Sequence, residues 1–275
     1  MFVDIYVSSD WDYKEYQEVA GVKQREGEKT ATEAPQRDIY LGLNAYMYRV
    51  STTATLGLLG TLGIGTGCAL VLPAAAMGSI SLVGCLSSFG CVLYLQYLRS
   101  KVMVEETKDG LRSIQPQARI ATFGGLVTSM GVSMSPFMEK MIEIDPTIPP
   151  IALGITAGTL SATYLYTHYR PITRKVFDTL EIAMFTGLMG SLSLGVTALC
   201  IYPFYPQVGE ALSQAHTYLG IPLYAFMSAY TFAAARRSYI EGKPDYIGEA
   251  CQLYLDALNL IIRIMKVLAD QKTKK

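Results

Sequence analysis

A single aspartate stands inside an apolar stretch near the C-terminal end of the chain. The stretch LYLDALNLIIRIM, residues 253–265, surrounds Asp256 with Leu, Tyr, Ala, Ile and Met. Burial disfavours the charged form of a carboxylate unless a cation or hydrogen bonds offset the cost. Asp256 could therefore be either protonated or charged near physiological pH. A carboxylate in this position is suited to binding a cation or to gating on protons.

Asp256 is also the centre of a polar stripe on a predicted helix. At about 3.6 residues per turn, side chains spaced three and four apart lie on one face. Five polar residues follow this spacing: Glu249, Gln252, Asp256, Asn259 and Arg263. Because the other faces are apolar, we expect the stripe to face a bundle interior or a water-filled cavity. A helix lying on the membrane surface is the alternative that the amphipathic pattern leaves open.

Arg263 is the cation of this stripe that stands nearest to Asp256. The two residues are roughly 10 Å apart along a helix that rises about 1.5 Å per residue. This distance is too long for a direct salt bridge. Any partner of Asp256 must therefore come from another helix.

The distribution of charge predicts the elements that hold these residues. Charged residues make up 17% of the chain, whereas soluble domains average about 25%. None occurs between Val50 and Leu98, a run long enough for two membrane spans of about 20 residues each. We therefore predict an all-α polytopic membrane protein with six to seven transmembrane helices.

The predicted boundaries follow from the ion-free stretches and the prolines. Residues 1–40 are expected to form a polar cytosolic N-terminal tail, partly disordered, because they show no apolar periodicity. Residues 41–270 are expected to form the bundle, and residues 271–275 a basic tail. The predicted spans are residues 50–71, 75–98, 120–138, 146–169, 182–203, 211–235 and 247–268.

The basic residues of the connections predict the orientation. The connection from Arg99 to Arg119 is rich in Lys and Arg, whereas that from Glu139 to Asp145 is poor in them. The rule that basic loops stay inside places the basic connections and the N-terminal tail in the cytosol. A full seventh span would carry the basic C-terminal residues to the far side. Either this helix returns to the cytosol or the C-terminal tail follows the earlier spans.

Several classes of function find no support in the sequence. The net charge is zero, so no overall field favours nucleic acid. Five cysteines without a CxxC pair and two distant histidines give no metal site. No nucleophile–base pair or cofactor motif is visible, so neither an enzyme nor a bound cofactor is expected.

Three collinear blocks resemble the Bax inhibitor family, the transmembrane Bax inhibitor motif proteins. Residues 117–162 resemble its third and fourth spans, with Pro136 near the end of a Gly-rich span and then Pro-x-Ile from Pro146. Residues 216–230 resemble the sixth span. Residues 242–275 resemble the end of the family sequence, with Asp-Tyr-Ile from Asp245 and Leu-aromatic-Leu-Asp ending at Asp256. The chain resembles the endoplasmic-reticulum branch most, as a divergent member of the family would.

The resemblance implies a seven-helix fold with the last helix at the centre of the bundle. It also implies a calcium leak channel of the endoplasmic reticulum, or a regulator of its calcium, that suppresses apoptosis. Calcium is then the transported ion. The lipid bilayer is the implied surrounding, and apoptosis regulators or other endoplasmic-reticulum membrane proteins are the possible partners.

One departure from the family bears directly on Asp256. In the family, an Asp on the sixth span and one on the last form a proton-sensitive pair, but here Thr231 replaces the first. Two nearby carboxylates titrate as a coupled pair, so the absence of one of them predicts a weak response to pH. Asp178 and Glu181, at the start of the fifth span, are secondary candidates for a substitute site. The alternative for them is a solvated helix end.

The departure leaves two hypotheses for function. The first is a calcium-permeable channel, or a regulator of one, with Asp256 in the ion pathway. The second is a non-conducting membrane adaptor that inhibits cell death by binding Bax-related or other membrane proteins. Calcium flux through the purified protein separates them.

Overall fold

The computed structural model describes residues 33–107, 110–169 and 174–273. In these ranges the chain forms seven α-helices, a short 3-10 helix and one β-hairpin. The helices are α1 (Glu33–Val71), α2 (Ala74–Tyr97), α3 (Gln117–Ile144), α4 (Ile148–Tyr169), α5 (Arg174–Ile201), α6 (Pro206–Ile240) and α7 (Tyr246–Thr273). Residues 1–32 of the predicted N-terminal tail lie outside the described part of the chain, and α1 already includes residues 33–40.

Prolines separate or interrupt several of these helices. Pro73 lies between α1 and α2 and has extended backbone angles. Proline has no N–H to continue the first helix, so α1 ends before it. Pro206 occupies the first turn of α6, where the missing N–H costs nothing. Pro136 and Pro222 lie inside α3 and α6, respectively.

The connection between α2 and α3 contains structure that the sequence analysis did not predict. The 3-10 helix Leu98–Lys101 follows α2, and strands β1 (Met103–Thr107) and β2 (Gly110–Ile114) come next. The strands pair antiparallel, with Met103 opposite Ile114. The backbone N–H of Leu111 donates to the Tyr239 hydroxyl on α6 at 3.0 Å, which fixes the hairpin to the bundle.

Helix α7 is the centre of the bundle. It packs against α1, α3, α4 and α6, while α2 packs mainly against α3 and α5 mainly against α6. Residues on most faces of α7 are buried, including Tyr254, Leu260, Ile261 and Met265. The prediction of an all-α membrane bundle with the last helix at its centre is confirmed.

Four helices of the described ranges are long and apolar enough to cross a membrane. The apolar segments are Gly42–Val71, Ala75–Lys101, Ile148–Tyr169 and Glu181–Ile201. They belong to α1, to α2 with the 3-10 helix that follows it, to α4 and to α5. Helices α3, α6 and α7 are more polar. Helices α3 and α6 both pack against α7, so their polar side chains can face α7 instead of lipid.

Candidate functional site on the central helix

The centre of the site is a hydrogen bond between α6 and α7. The Thr231 hydroxyl donates to Oδ2 of Asp256 at 2.8 Å. Both side chains are buried, with Thr231 1% and Asp256 3% exposed. The structure therefore places Thr231 opposite Asp256.

Asp256 has no cationic partner in the described part of the chain. The salt bridges there join Arg99 and Arg119 to Asp245, Arg237 to Glu241, and Lys272 to Asp145. A buried carboxylate held by one neutral donor is costly, and a bound cation or a proton would offset that cost. The arrangement therefore retains an acceptor at the centre of the bundle.

The remaining stripe residues are in different environments. Glu249 accepts a hydrogen bond from the Tyr46 hydroxyl on α1 at 2.6 Å, and is half-buried. Asn259 donates to the Leu255 carbonyl of its own helix at 2.9 Å. Glu249 thus belongs to a contact between two helices, whereas Asn259 donates a hydrogen bond within its own helix.

The prediction that all five stripe residues face the interior is wrong for Gln252, which is exposed. Four residues advance about 400° around a helix, so Gln252 points about 40° away from Asp256. The neighbouring helices cover Asp256 but not the direction of Gln252. A stripe read at fixed spacing does not show this difference.

Arg263 is buried and contacts α6 rather than Asp256. Its Nη1 donates to the His216 carbonyl oxygen, and its Nη2 lies 3.1 Å from Nε2 of the same residue. The guanidinium carbon lies 5.0 Å from the centre of the Tyr224 ring. Arg263 therefore does not pair with Asp256. The hydrogen-bond partner of Asp256 is Thr231 on α6, which agrees with the expectation of a partner on another helix.

Of the two secondary candidates, Glu181 does not join the site. Glu181 is exposed on α5, and no hydrogen bond or salt bridge joins it to Asp256. Asp178 belongs to the same helix, but its side chain lies outside the described part of the chain. In that part, no cluster of three His, Cys, Asp or Glu residues is placed to hold a metal ion.

Sequence reasoning missed a buried ion pair at the N-terminal end of α7. Arg119 Nη2 donates to Oδ2 of Asp245 at 2.7 Å, and Nη1 donates to the other carboxylate oxygen. The backbone N–H of Asp245 donates to the Tyr46 hydroxyl at 2.9 Å, which connects this pair to Glu249. Gln115 also donates to Asp245. The available signal was a lone arginine at the start of an apolar helix, which sequence analysis assigned to a loop end.

Fold and site together define a polytopic all-helical membrane protein whose central helix carries a buried acid. A sequence model of the family described as "Inhibitor of apoptosis-promoting Bax1" matches residues 43–273. The chain belongs to this family, as the resemblance predicted.

Curated relatives give the degree of similarity. Bax inhibitor 1 of Homo sapiens is 26% identical over 200 residues, covering 70% of this chain and 75% of the relative. Bax inhibitor 1 of Bos taurus is 27% identical over 203 residues, covering 70% and 76%. The protein of Mus musculus is 26% identical over 195 residues, with 70% and 75% covered. The chain is a divergent member of the family.

Proposed function

We propose that the protein is a calcium leak channel, or a regulator of endoplasmic-reticulum calcium, that suppresses apoptosis. The carrying observation is Asp256, buried on the central helix without a cationic partner in the described part of the chain. Ca²⁺ prefers oxygen ligands, carboxylates above all. The hydrogen bond from Thr231 occupies part of the carboxylate and leaves acceptor capacity for an ion.

The proposed ion pathway follows α7 from Glu249 to Asp256. These carboxylates are about two turns apart, roughly 10 Å along the helix. Asn259, on the same stripe, would supply a further oxygen atom, and Thr231 lines the pathway from α6. The exposed Gln252 is not part of this pathway. Arg263, at the far end of the stripe, would repel a cation rather than bind it.

The alternative proposal is a non-conducting adaptor. Its support is that Thr231 stands where the family places a second Asp, so the proton-sensitive pair is absent. Such a protein would inhibit cell death by binding Bax-related or other membrane proteins, as the family description suggests.

Calcium efflux from sealed liposomes containing only the purified full-length chain distinguishes the two proposals. A channel releases trapped calcium faster than protein-free liposomes do, because Asp256 offers a binding step inside the bundle. Efflux equal to that of protein-free liposomes would contradict the channel and leave the adaptor.

The proposed location is the endoplasmic-reticulum membrane, with the N-terminus in the cytosol. The support is the family resemblance and the basic connection from Arg99 to Arg119. Residues 274–275 of the predicted basic tail lie outside the described part of the chain.

A further inference from the structure

Arg263 is a buried cation for which the described part of the chain supplies no acidic partner. Its side chain is accommodated by the carbonyl oxygen and the imidazole nitrogen of His216 and by the face of Tyr224. None of these groups carries a negative charge. A buried charge without an opposite charge is costly, and guanidinium groups favour anions with two adjacent oxygens.

The bundle is shaped to hold this guanidinium. Gly220 of α6 leaves the space for it, because a Cβ atom there would overlap the guanidinium group. On α5, a Cβ at Gly195 would lie 3.4 Å from His216 Nε2, so this glycine borders the same place. Three helices therefore surround the contact between Arg263 and His216.

Lys266 adds a second positive charge near Arg263. Lys266 follows on α7 and is exposed, and both cations lie close enough to act electrostatically on His216. The acid that acts on Lys266 is Asp270, one turn further along the same helix. Arg263 and Lys266 together thus outweigh this single carboxylate.

The position along the helix suits a ligand from the membrane boundary. Arg263 precedes Lys272, near the end of α7, by roughly 13 Å. Helix α7 has 28 residues and is about 42 Å long, whereas the hydrocarbon core of a bilayer is about 30 Å thick. With α7 centred in the bilayer, Arg263 lies about 10 Å inside the boundary nearer Thr273. The exposed Lys266, one turn further on, lies about 5 Å inside it, between Arg263 and the lipid headgroups.

We propose that Arg263, with His216 and Lys266, forms a binding site for the phosphate group of an anionic ligand at this boundary. The guanidinium pairs with two phosphate oxygens, and Lys266 adds a point charge from the exposed side. Basic pockets between transmembrane helices bind anionic lipid headgroups in this manner. The proposal does not depend on calcium conduction.

Native mass spectrometry of the full-length chain in detergent tests the site. Dioleoyl phosphatidic acid is titrated in one arm, sn-glycerol 3-phosphate in a second, and dioleoyl phosphatidylcholine serves as the uncharged comparison. We expect phosphatidic acid or glycerol phosphate to bind, and Arg263→Gln to weaken that binding about tenfold, a loss of ~1.4 kcal/mol. Binding of phosphatidic acid alone identifies the ligand as a lipid headgroup. Binding of glycerol phosphate identifies it as a free phosphate ester.

Arg236→Gln is the matched control. Arg236 lies toward the opposite end of α6 and also contacts backbone carbonyl oxygens, those of Thr167 and His168. Its replacement should leave binding unchanged. Equal binding by wild type and Arg263→Gln, an equal loss in Arg236→Gln, or no binding in either arm would overturn the proposal.

Gly220→Ala provides a second variant that keeps the charge. The new Cβ displaces the guanidinium from its place, so binding should weaken although Arg263 is present. If Arg263→Gln fails to fold, this variant decides the question, and unchanged binding by Gly220→Ala would then reject the site.

Discussion

At the scale of single residues, the hydrogen bond between Thr231 and Asp256 determines the chemistry of the site. A hydroxyl donor stabilises the carboxylate through one 2.8 Å hydrogen bond and adds no second charge. The site therefore retains an acceptor for a cation but lacks the two adjoining carboxylates that titrate as a pair. On this basis we expect cation binding to dominate over proton switching.

A second carboxylate opposite Asp256 should create a proton switch. In Thr231→Asp, two carboxylates within hydrogen-bond distance would share a proton and titrate together. Calcium efflux from liposomes should then change steeply between about pH 6 and 8, whereas wild-type efflux changes little. Thr231→Asn, which adds no charge, is the control and should stay as flat as wild type. A steep wild-type profile would show that another acid acts with Asp256.

Residue-level prediction succeeded where a single helix or the family pattern carried the information. The spacing of the stripe located Asp256, and the resemblance gave its counterpart Thr231. The Arg119–Asp245 pair was missed because its members are 126 positions apart, and nothing local indicates which helices meet. The exposure of Gln252 was missed because it depends on which directions around α7 the neighbours cover.

At the scale of elements, a glycine of α2 permits a close contact with the backbone of α3. A Cβ on Gly84 would lie 2.8 Å from the Ser129 carbonyl oxygen and 2.9 Å from the Ser133 nitrogen. Both are backbone atoms and cannot move aside as a side chain can. The glycine therefore sets how closely these helices approach.

Gly84→Ala should separate α2 from α3 and destabilise the protein by about 1–3 kcal/mol, the usual range for overpacking. Thermal unfolding in detergent measures the loss. Gly90→Ala is the control on the same helix, since a Cβ there meets nothing within 4 Å. Equal melting temperatures for the two variants would mean that the α2–α3 contact does not depend on Gly84.

At the scale of the whole molecule, polar contacts mark the two opposite ends of the bundle. Arg119 and Asp245 join the beginnings of α3 and α7, and Asp145 and Lys272 join their ends at 2.7 Å. Hydrogen bonds from Lys272 and Thr147 hold the pKa of Asp145 well below its usual range, so this link is charged at neutral pH. Helices α3 and α7 therefore run side by side in the same direction.

This arrangement predicts the side on which α7 ends. Helix α7 is continuous from Tyr246 to Thr273 and does not turn back, so its end lies opposite the connection that follows α2. In a cysteine-free background, Gln271→Cys and Glu143→Cys should react with an impermeant maleimide from the same side of sealed vesicles. Ser100→Cys should react from the other side. Labelling of positions 271 and 100 from one side would contradict a fully spanning α7.

Charge counting alone did not decide on which side of the membrane α7 ends, because the basic residues near the C-terminus opposed the orientation favoured by the earlier loops. The seven-helix class and the central last helix followed from the apolar runs and the resemblance. The hairpin between α2 and α3 could not be predicted from the sequence, since its strands are short. Its contact with Tyr239 comes from α6, far along the chain.

The most direct test of the central claim is calcium efflux from liposomes containing Asp256→Asn, measured beside Asp270→Asn. Asparagine keeps the size of the side chain and a hydrogen-bond acceptor for Thr231 but removes the negative charge. Asp270 is a half-buried acid near the end of the same helix and serves as the matched control. We predict that Asp256→Asn reduces efflux to the level of protein-free liposomes, while Asp270→Asn retains wild-type efflux. Wild-type efflux through Asp256→Asn would contradict an ion pathway through the central carboxylate.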